Sequence, residues 1–416
     1  MSGPFRLSRL RAQAQVGRRR RVARSIARAI APTAILVAFA GPQPVSAQQS
    51  IGDVLSFLLT NRSIPTADFS RDEEATARTS ETISGFLLIE LATLPITSSA
   101  GGFSYRLDPG LGTMTRSSDS FGPFFAERSL TIGRRQSSFG VSVQSSTFDN
   151  IDGRTLRDGT LVSTASRLGS EPQPFDVETV SLRIRTDTMT IAGTYGLTDR
   201  LDVSGAVPLV RLQLSGERVD TYRGQRLVQA TGSASTSGIG DLVLRAKYNV
   251  ARRSLGGVAL GGEMRLPTGD SDNLLGAGEA AVKPRLIGSF ESERVGLHGD
   301  VGYWLGGLAQ ELDYGAALTL VAAPRLTFVG ELSGRRLEAF GRLAETALPH
   351  PTLANVESIR LTSVEQTTDR LVSVVGVKWN VGRTWMLSAN VRHPLTTAGL
   401  NASWIPTLTL DYSFQR

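Results

Sequence analysis

The sequence predicts an all-β protein: a transmembrane, antiparallel, up-and-down β-barrel preceded by a short N-terminal helical segment. Three observations predict it. Apolar residues recur at every second position over long stretches, the connections between stretches alternate between tight turns and long loops, and the stretches are long. In "RVGLHGDVGYWLGG", residues 294–307, one face reads Val295, Leu297, Gly299, Val301, Tyr303, Leu305 and the other Arg294, Gly296, His298, Asp300, Gly302, Trp304. A period of two is a strand with one greasy and one polar side. A soluble sandwich shares that period, but has no reason to sort its connections by length.

Composition narrows the alternatives. The chain has 416 residues, of which 40% are hydrophobic, too few for a bundle of membrane-spanning helices. It has no cysteine, so disulfides, thiol chemistry and a lipidated N-terminal Cys are excluded. The formal net charge of +7 misleads, because nine arginines and no acidic residue fall within residues 1–47. Without those nine, 36 basic side chains stand against 38 acidic ones, so the charge gives no argument for nucleic-acid binding.

Taken from the N-terminus, the first element is a leader. A basic region is followed by "AIAPTAILVAFA" and then "PVSAQQ", in which Val45, Ser46 and Ala47 place small residues before a cleavage site. Residues 1–47 therefore read as a signal peptide cut after Ala47. The apolar run is shorter than the roughly 20 residues a spanning helix needs.

Residues 48–100 read as a helical plug or periplasmic segment. "IGDVLSFLLTNRSIP" suggests one short helix. "SETISGFLLIELATLP" suggests another, with Ser80 as N-cap and Pro95 as stop, and "TADFSRDEEATART" between them reads as a polar connection. Phe57, Leu58, Ile83, Phe86 and Leu87 are the residues expected to bury the plug. Burying each side chain is worth about 1.5–3 kcal/mol, and the lumen mouth or the periplasmic rim is the available place.

The barrel is assigned to residues 101–416. Thirteen strands can be read: 124–134, 137–148, 177–197, 200–217, 238–251, 255–267, 278–291, 294–306, 311–322, 325–337, 369–381, 384–393 and 404–414. Many reach about 10–14 residues, which suits a tilted spanning strand of about 9–11 and exceeds the usual globular strand of about 5–6. Tight turns fall near 135–136, 198–199, 252–254, 292–293, 323–324 and 382–383. Longer connections fall near 149–176, 218–237, 268–277, 307–310, 338–368 and 394–403. In bacterial outer-membrane barrels the short turns are periplasmic and the long loops extracellular, and the strand number is even. An ascending strand at 101–116 would make the count fourteen, with twelve as the alternative if the N-terminal segments pack differently. Segment 177–197 changes alternation near Asp187, which suggests a bulge or an extension above the membrane.

The polar faces give the lumen. Leu242, Leu244, Ala246, Tyr248 and Val250 oppose Asp241, Arg245, Lys247 and Asn249, and the pattern repeats along the chain. The expected lumen-lining residues are Asp241, Arg245, Lys247, Glu263, Arg265, Glu279, Lys283, Arg285, His298, Asp300, Glu331, Arg335 and Lys378. Both signs are present, which points to an internal charge network more than to a strongly ion-selective pore.

"YGLTDRLDVSGAVPL" (195–209), "SGIGDLVLRAKYNV" (237–250) and "MRLPTGDSDNLLGAGEAAVKPRL" (264–286) resemble the outer-membrane MetA-pathway phenol-degradation family, which is akin to the long-chain fatty acid and aromatic-hydrocarbon transporters of the outer membrane. The likeness covers residues 175–340 best. It implies a monomeric barrel in the bacterial outer membrane that passes small hydrophobic solutes, with an N-terminal segment plugging the lumen. The last strand, "WIPTLTLDYSFQR", looks like the insertion signal read by the barrel-assembly machinery, although Gln415 and Arg416 follow the final Phe414.

Catalytic and metal chemistry is not indicated. The histidines are His298, His350 and His393; no HExxH, Cys/His cluster or phosphate loop exists, so no metal or cofactor is expected. Outer-membrane phospholipases pair a His with a Ser on adjacent strand positions, but His298 is followed two residues on by Asp300 with no Ser nearby, and a lumen-lining pair is the plain reading. Asp270 and Asp272 read as an acidic loop. The functional expectation is a non-catalytic outer-membrane channel for small, hydrophobic or aromatic solutes. The alternative is a structural or adhesin-type barrel that binds a partner through its long extracellular loops.

Overall fold

In a computed structural model, residues 50–60, 69–92, 98–99, 102, 105–108, 113–116, 120–253, 256–382 and 384–415 are described. The signal-peptide reading of residues 1–47 falls outside them. Two helices come first, α1 (Ile51–Leu59) and α2 (Phe69–Ala92). Then follow β1 (Tyr105–Asp108), β2 (Thr113–Arg116), β3 (Gln136–Phe148), β4 (Asn150–Ile151), β5 (Arg154–Thr155), β6 (Leu161–Leu168), β7 (Asp176–Gly196), β8 (Leu201–Tyr222), β9 (Gln225–Ile239) and β10 (Leu242–Arg253). The remainder are β11 (Gly256–Leu266), β12 (Ala281–Glu291), β13 (Val295–Gly306), β14 (Glu311–Ala323), β15 (Leu326–Pro349), β16 (Val356–Asn380), β17 (Trp385–Pro394), β18 (Leu400–Asn401) and β19 (Ile405–Gln415).

Antiparallel pairing runs β3–β7–β8–β10–β11–β12–β13–β14–β15–β16–β17–β19 and returns from β19 to β3, closing a twelve-stranded ring. The count is therefore twelve and not fourteen. Two expected strands leave the wall. The described parts of 101–116 pair with each other as the separate β1–β2 hairpin. Residues 124–134 form no strand, because the barrel wall bonds their backbone through side chains and leaves no place for strand pairing.

Five tight connections, β7–β8, β10–β11, β12–β13, β14–β15 and β16–β17, lie at the end where β3 begins and β19 finishes. Here the chain crosses the end of β7 on its way into β3. A Cβ on Gly196 would sit 1.8 Å from the Gly133 carbonyl oxygen, so glycine is required there. Trp385, Tyr412 and Phe414 stack side by side on the outer face near this end, as in an interfacial aromatic girdle.

Burial decides between membrane barrel and sandwich. Leu260, Leu286 and Phe328 are 54%, 49% and 51% exposed, whereas Lys247, Glu263, Lys283 and Glu331 are 4%, 6%, 3% and 5% exposed. An exterior of leucines around an interior of charges requires lipid outside, so the ring is an outer-membrane barrel.

At the long-loop end the wall changes. β8 pairs with β10 through Leu201–Ala206 but with β9 through Leu209–Tyr222. β16 pairs with β17 through Val372–Asn380 but with β6 through Val356–Arg360. A six-stranded extension, β9–β8–β7–β6–β16–β15, therefore rises from the ring. Much of the expected loops 149–176, 218–237 and 338–368 is strand, with β8 and β9 joined by a tight turn at Arg223 and Gly224 (φ 47° and 82°). There is no bulge at Asp187, since β7 keeps register with both β3 and β8 there. The alternation changes because the interior changes: inward positions are Leu182 and Ile184 in the extension, then Thr186, Thr188 and Thr190 in the ring.

The apolar interior of the extension exists to hold the helices. α1 packs on β8 and β9, and α2 on β15, β16 and β18. Ser50 and Asp53 form a reciprocal capping box at the start of α1. Val54, Leu55, Leu58, Ile83, Phe86 and Leu87 join Leu182, Leu212, Leu214, Phe340 and Leu361 in one apolar core. Phe57 departs from expectation: it is 44% exposed, because it shares the outer face of α1 with Asp53 one turn earlier. α2 departs too, starting eleven residues before Ser80. The polar stretch 71–78 is helical because Glu, Ala and Arg favour helix, because Glu74 and Arg78 pair one turn apart, and because Asp72 binds Arg360 of the wall. Pro95 lies outside the described residues. No described helix is long and apolar enough to cross a membrane.

Candidate functional site

Twelve of the thirteen expected lining residues lie on inward strand positions or at the inner end of a strand. They come from β10 to β16, except Asp241, which sits just before β10 and accepts the amide N–H groups of Gly269 (3.1 Å) and Ala277 (2.8 Å). Glu279 is a correction. It lies in the bend before β12 and is exposed, because the lattice of β12 begins only at Ala281. In β11 the order Met264, Arg265, Leu266 puts Arg265 inside, 8% exposed, with Met264 40% exposed on the outer face.

Residues 120–132, "SFGPFFAERSLTI", run irregularly through the barrel and are buried almost throughout. Their backbone is satisfied by the wall. Glu331 accepts the N–H groups of Phe124, Phe125 (3.0 Å) and Ala126 (3.1 Å). Asp300 accepts from Glu127 N (2.9 Å), Ser289 Oγ from Ser129 N (2.8 Å), and Asp202 from Ile132 N (3.0 Å). Wall donors reach the carbonyls: Lys378 Nζ to Pro123 (2.7 Å), Lys247 Nζ to Arg128 (3.0 Å) and Asn249 Nδ2 to Ser129 (2.7 Å). Wall side chains thus do for this segment what a neighbouring strand does elsewhere, as buried backbone polar groups demand.

Most of these charges form one connected network, with two further ion pairs beside it. Glu127 of the segment meets Arg245 (3.6 Å) and Lys247 (3.3 Å). Glu263 meets Arg245 (3.0 Å), Lys283 (3.6 Å) and Arg285 (3.6 Å), and Arg285 continues to Asp300 (3.4 Å) and Asp313 (3.7 Å). Arg335 is bidentate on Glu311, and Arg370 of β16 binds Glu90 of α2. Between segment 120–132 and α2 lies a cavity of about 120 Å³, lined by Phe125, Ala126, Glu90, Trp304 and the network.

His298 lies directly across from Ser289 on β12, with Nδ1 3.1 Å from Oγ. Strand pairing brings together what sequence separation hid. The Ser289 hydroxyl already accepts the Ser129 N–H, and the imidazole is buried, so the pair holds segment 120–132 and presents no exposed nucleophile. Asp270 uses its carboxylate on Asp272 N (3.0 Å), Asn273 N (3.2 Å) and Asn273 Nδ2 (2.8 Å). Among the described residues no group of three or more His, Asp or Glu could hold a metal ion.

Sequence reasoning missed Glu90, Glu127, Arg128, Glu311, Asp313, Arg370 and Arg392. Asp313 was available from the alternation Asp313, Gly315, Ala317, Thr319, and Arg392 from Ser388, Asn390, Arg392. Glu127 and Arg128 carried no such signal, since their segment is no strand.

The family model described as a putative MetA-pathway of phenol degradation matches residues 154–330. Among solved structures, the chain is similar to an outer membrane channel from Pseudomonas putida F1, at 17% identity, covering 69% of this chain and 98% of that one, with a TM-score of 0.44. A Pseudomonas aeruginosa FadL homologue matches at 9% identity over 77% of this chain and 99% of that one, TM-score 0.32. The Pseudomonas putida toluene transporter TodX matches at 11% identity over 68% and 89%, TM-score 0.28. No curated protein matches the sequence.

Proposed function

We propose that the protein is a non-catalytic outer-membrane channel for small hydrophobic or aromatic solutes, gated by its own N-terminal segment. One observation carries this reading: the lumen is filled by chain that the wall holds with side-chain hydrogen bonds, not by strand pairing. Such bonds are each worth about 0.5–1.5 kcal/mol net, up to about 3 for those to charged groups, so the segment can release locally while the ring stays closed. The matched family's description supports an aromatic cargo.

In this reading residues 1–47 are a signal peptide, helices α1 and α2 cap the extracellular mouth, and residues 120–132, which the sequence assigned to the barrel, plug the lumen. The barrel-assembly machinery inserts the chain as a monomer, and the partners are outer-membrane lipid and the solute. Purified mature protein should begin at Gln48 by N-terminal sequencing. The function is tested by reconstituting the mature chain in liposomes and following influx of phenol and toluene. Saturable influx above protein-free vesicles is expected. Influx equal to that of empty vesicles overturns the reading.

A further inference from the structure

Buried guanidinium groups normally face carboxylates, because an unpaired charge out of water is expensive. In the cavity between segment 120–132 and α2, most cations have such partners: Glu263, Asp300 and Asp313 serve Arg245, Lys283 and Arg285. Arg265 differs. It is 8% exposed, and among the described residues its Nε has no hydrogen-bond partner and it makes no ion pair. Its guanidinium carbon lies 4.5 Å from the centre of the Trp304 ring, which Lys283 Nζ also approaches to 4.5 Å. A second guanidinium on the same cavity, Arg392, among the described residues bonds the neutral side-chain oxygen of Gln144 (3.2 Å) and no carboxylate, and its Nε has no partner among them.

We propose that this cavity binds a small aromatic carboxylate, its anionic end on Arg265 and its ring against Trp304. The unmatched positive charge selects an anion, and the aromatic wall of Trp304 and Phe125 selects one with a planar apolar body. Size selects a single ring, since about 120 Å³ is well below the roughly 300–1,000 Å³ of sites for larger ligands and excludes a long acyl chain. The proposal deepens the channel reading and rests on it, because the site lies on the route a solute takes past the plug.

The test is calorimetric titration of the detergent-solubilised mature chain with benzoate, benzyl alcohol and acetate. Benzoate should bind saturably and at least about tenfold more tightly than either neutral benzyl alcohol or ringless acetate, and Arg265→Gln should weaken benzoate by at least about tenfold, the scale of one lost charge-assisted bond. Arg265→Lys should retain part of the affinity. Heat-modifiable gel mobility reports the folded barrel. If Arg265→Gln does not fold, Trp304→Leu replaces it, with the same weakening expected. Benzyl alcohol binding as tightly as benzoate, or wild-type benzoate affinity in either folded variant, overturns the site. Benzoate binding without phenol or toluene influx supports the site and overturns the channel; influx without benzoate binding does the reverse.

Discussion

Glu331 shows how much one side chain can carry. It receives three consecutive backbone N–H groups of the lumen segment, one on Oε1 and two on Oε2, and an amide in its place would have only one accepting oxygen. Glu331→Gln is expected to cost about 1.5–3 kcal/mol of segment attachment. In planar bilayers it should therefore show more frequent or larger openings than the wild type at equal voltage. Asp176 illustrates a different effect, on the extension beyond the membrane. Burial first, and then the hydrogen bond and charge of Asp220 and the charge of Glu178, push its carboxyl up to about 7. An acid whose folded value is raised holds a proton that the unfolded chain releases from about pH 4 upward, so its contribution is present at low pH and is lost as pH rises to about 7. Protection factors for amide exchange in the extension parts of β7 and β8, taken relative to the intrinsic rate at each pH, should fall across that window. Asp176→Asn should remove the dependence, and a wild-type profile in the variant would refute it.

At the scale of elements, the helices and the extension are stable only together. Phe86 is fully buried, 4.8 Å centre to centre from Phe340 of β15, and Gly85 leaves no room for a Cβ beside the same ring. Phe86→Ala is expected to cost about 3–5 kcal/mol. The loss should appear as faster amide exchange in α2 and the upper part of β15, with exchange in β10–β14 unchanged. This boundary also explains what the sequence concealed. Within the ring, alternation was readable because lipid and a charged lumen oppose each other at every step, and the ring strands read from the sequence fell within a few residues of their observed ends, except where β15 and β16 run on into the extension to Pro349 and from Val356. Above the ring the inside is apolar and the outside polar, so the same period appeared with its sign reversed, as at Asp187 or in residues 338–368. The polar face of α2 read as a connection for a related reason. Its partners, Thr79 on the Leu361 carbonyl and Asp72 on Arg360, come from nearly three hundred residues away.

For the whole molecule, the wall was legible and its contents were not. "GPFFAERSLTI" has short alternating runs and passed for a strand, yet its bonding partners lie on six different strands that no local pattern connects. The charges on the wall were readable as lumen-facing, but their purpose depends on a segment whose path is set only once the ring has closed. The central claim is that residues 120–132 plug the lumen reversibly by resting against this wall. Ala126 and Gly315 allow it to be tested directly, because a Cβ on Gly315 would lie 3.5 Å from that of Ala126, at the short end of the separation a disulfide needs, and the chain has no other cysteine. The measurement is single-channel conductance of the Ala126→Cys, Gly315→Cys double variant in a planar bilayer, before and after reductant. A channel held closed when oxidised and returned to wild-type openings when reduced is the predicted result; equal conductance in the two states, with the crosslink verified by mass spectrometry, would contradict it.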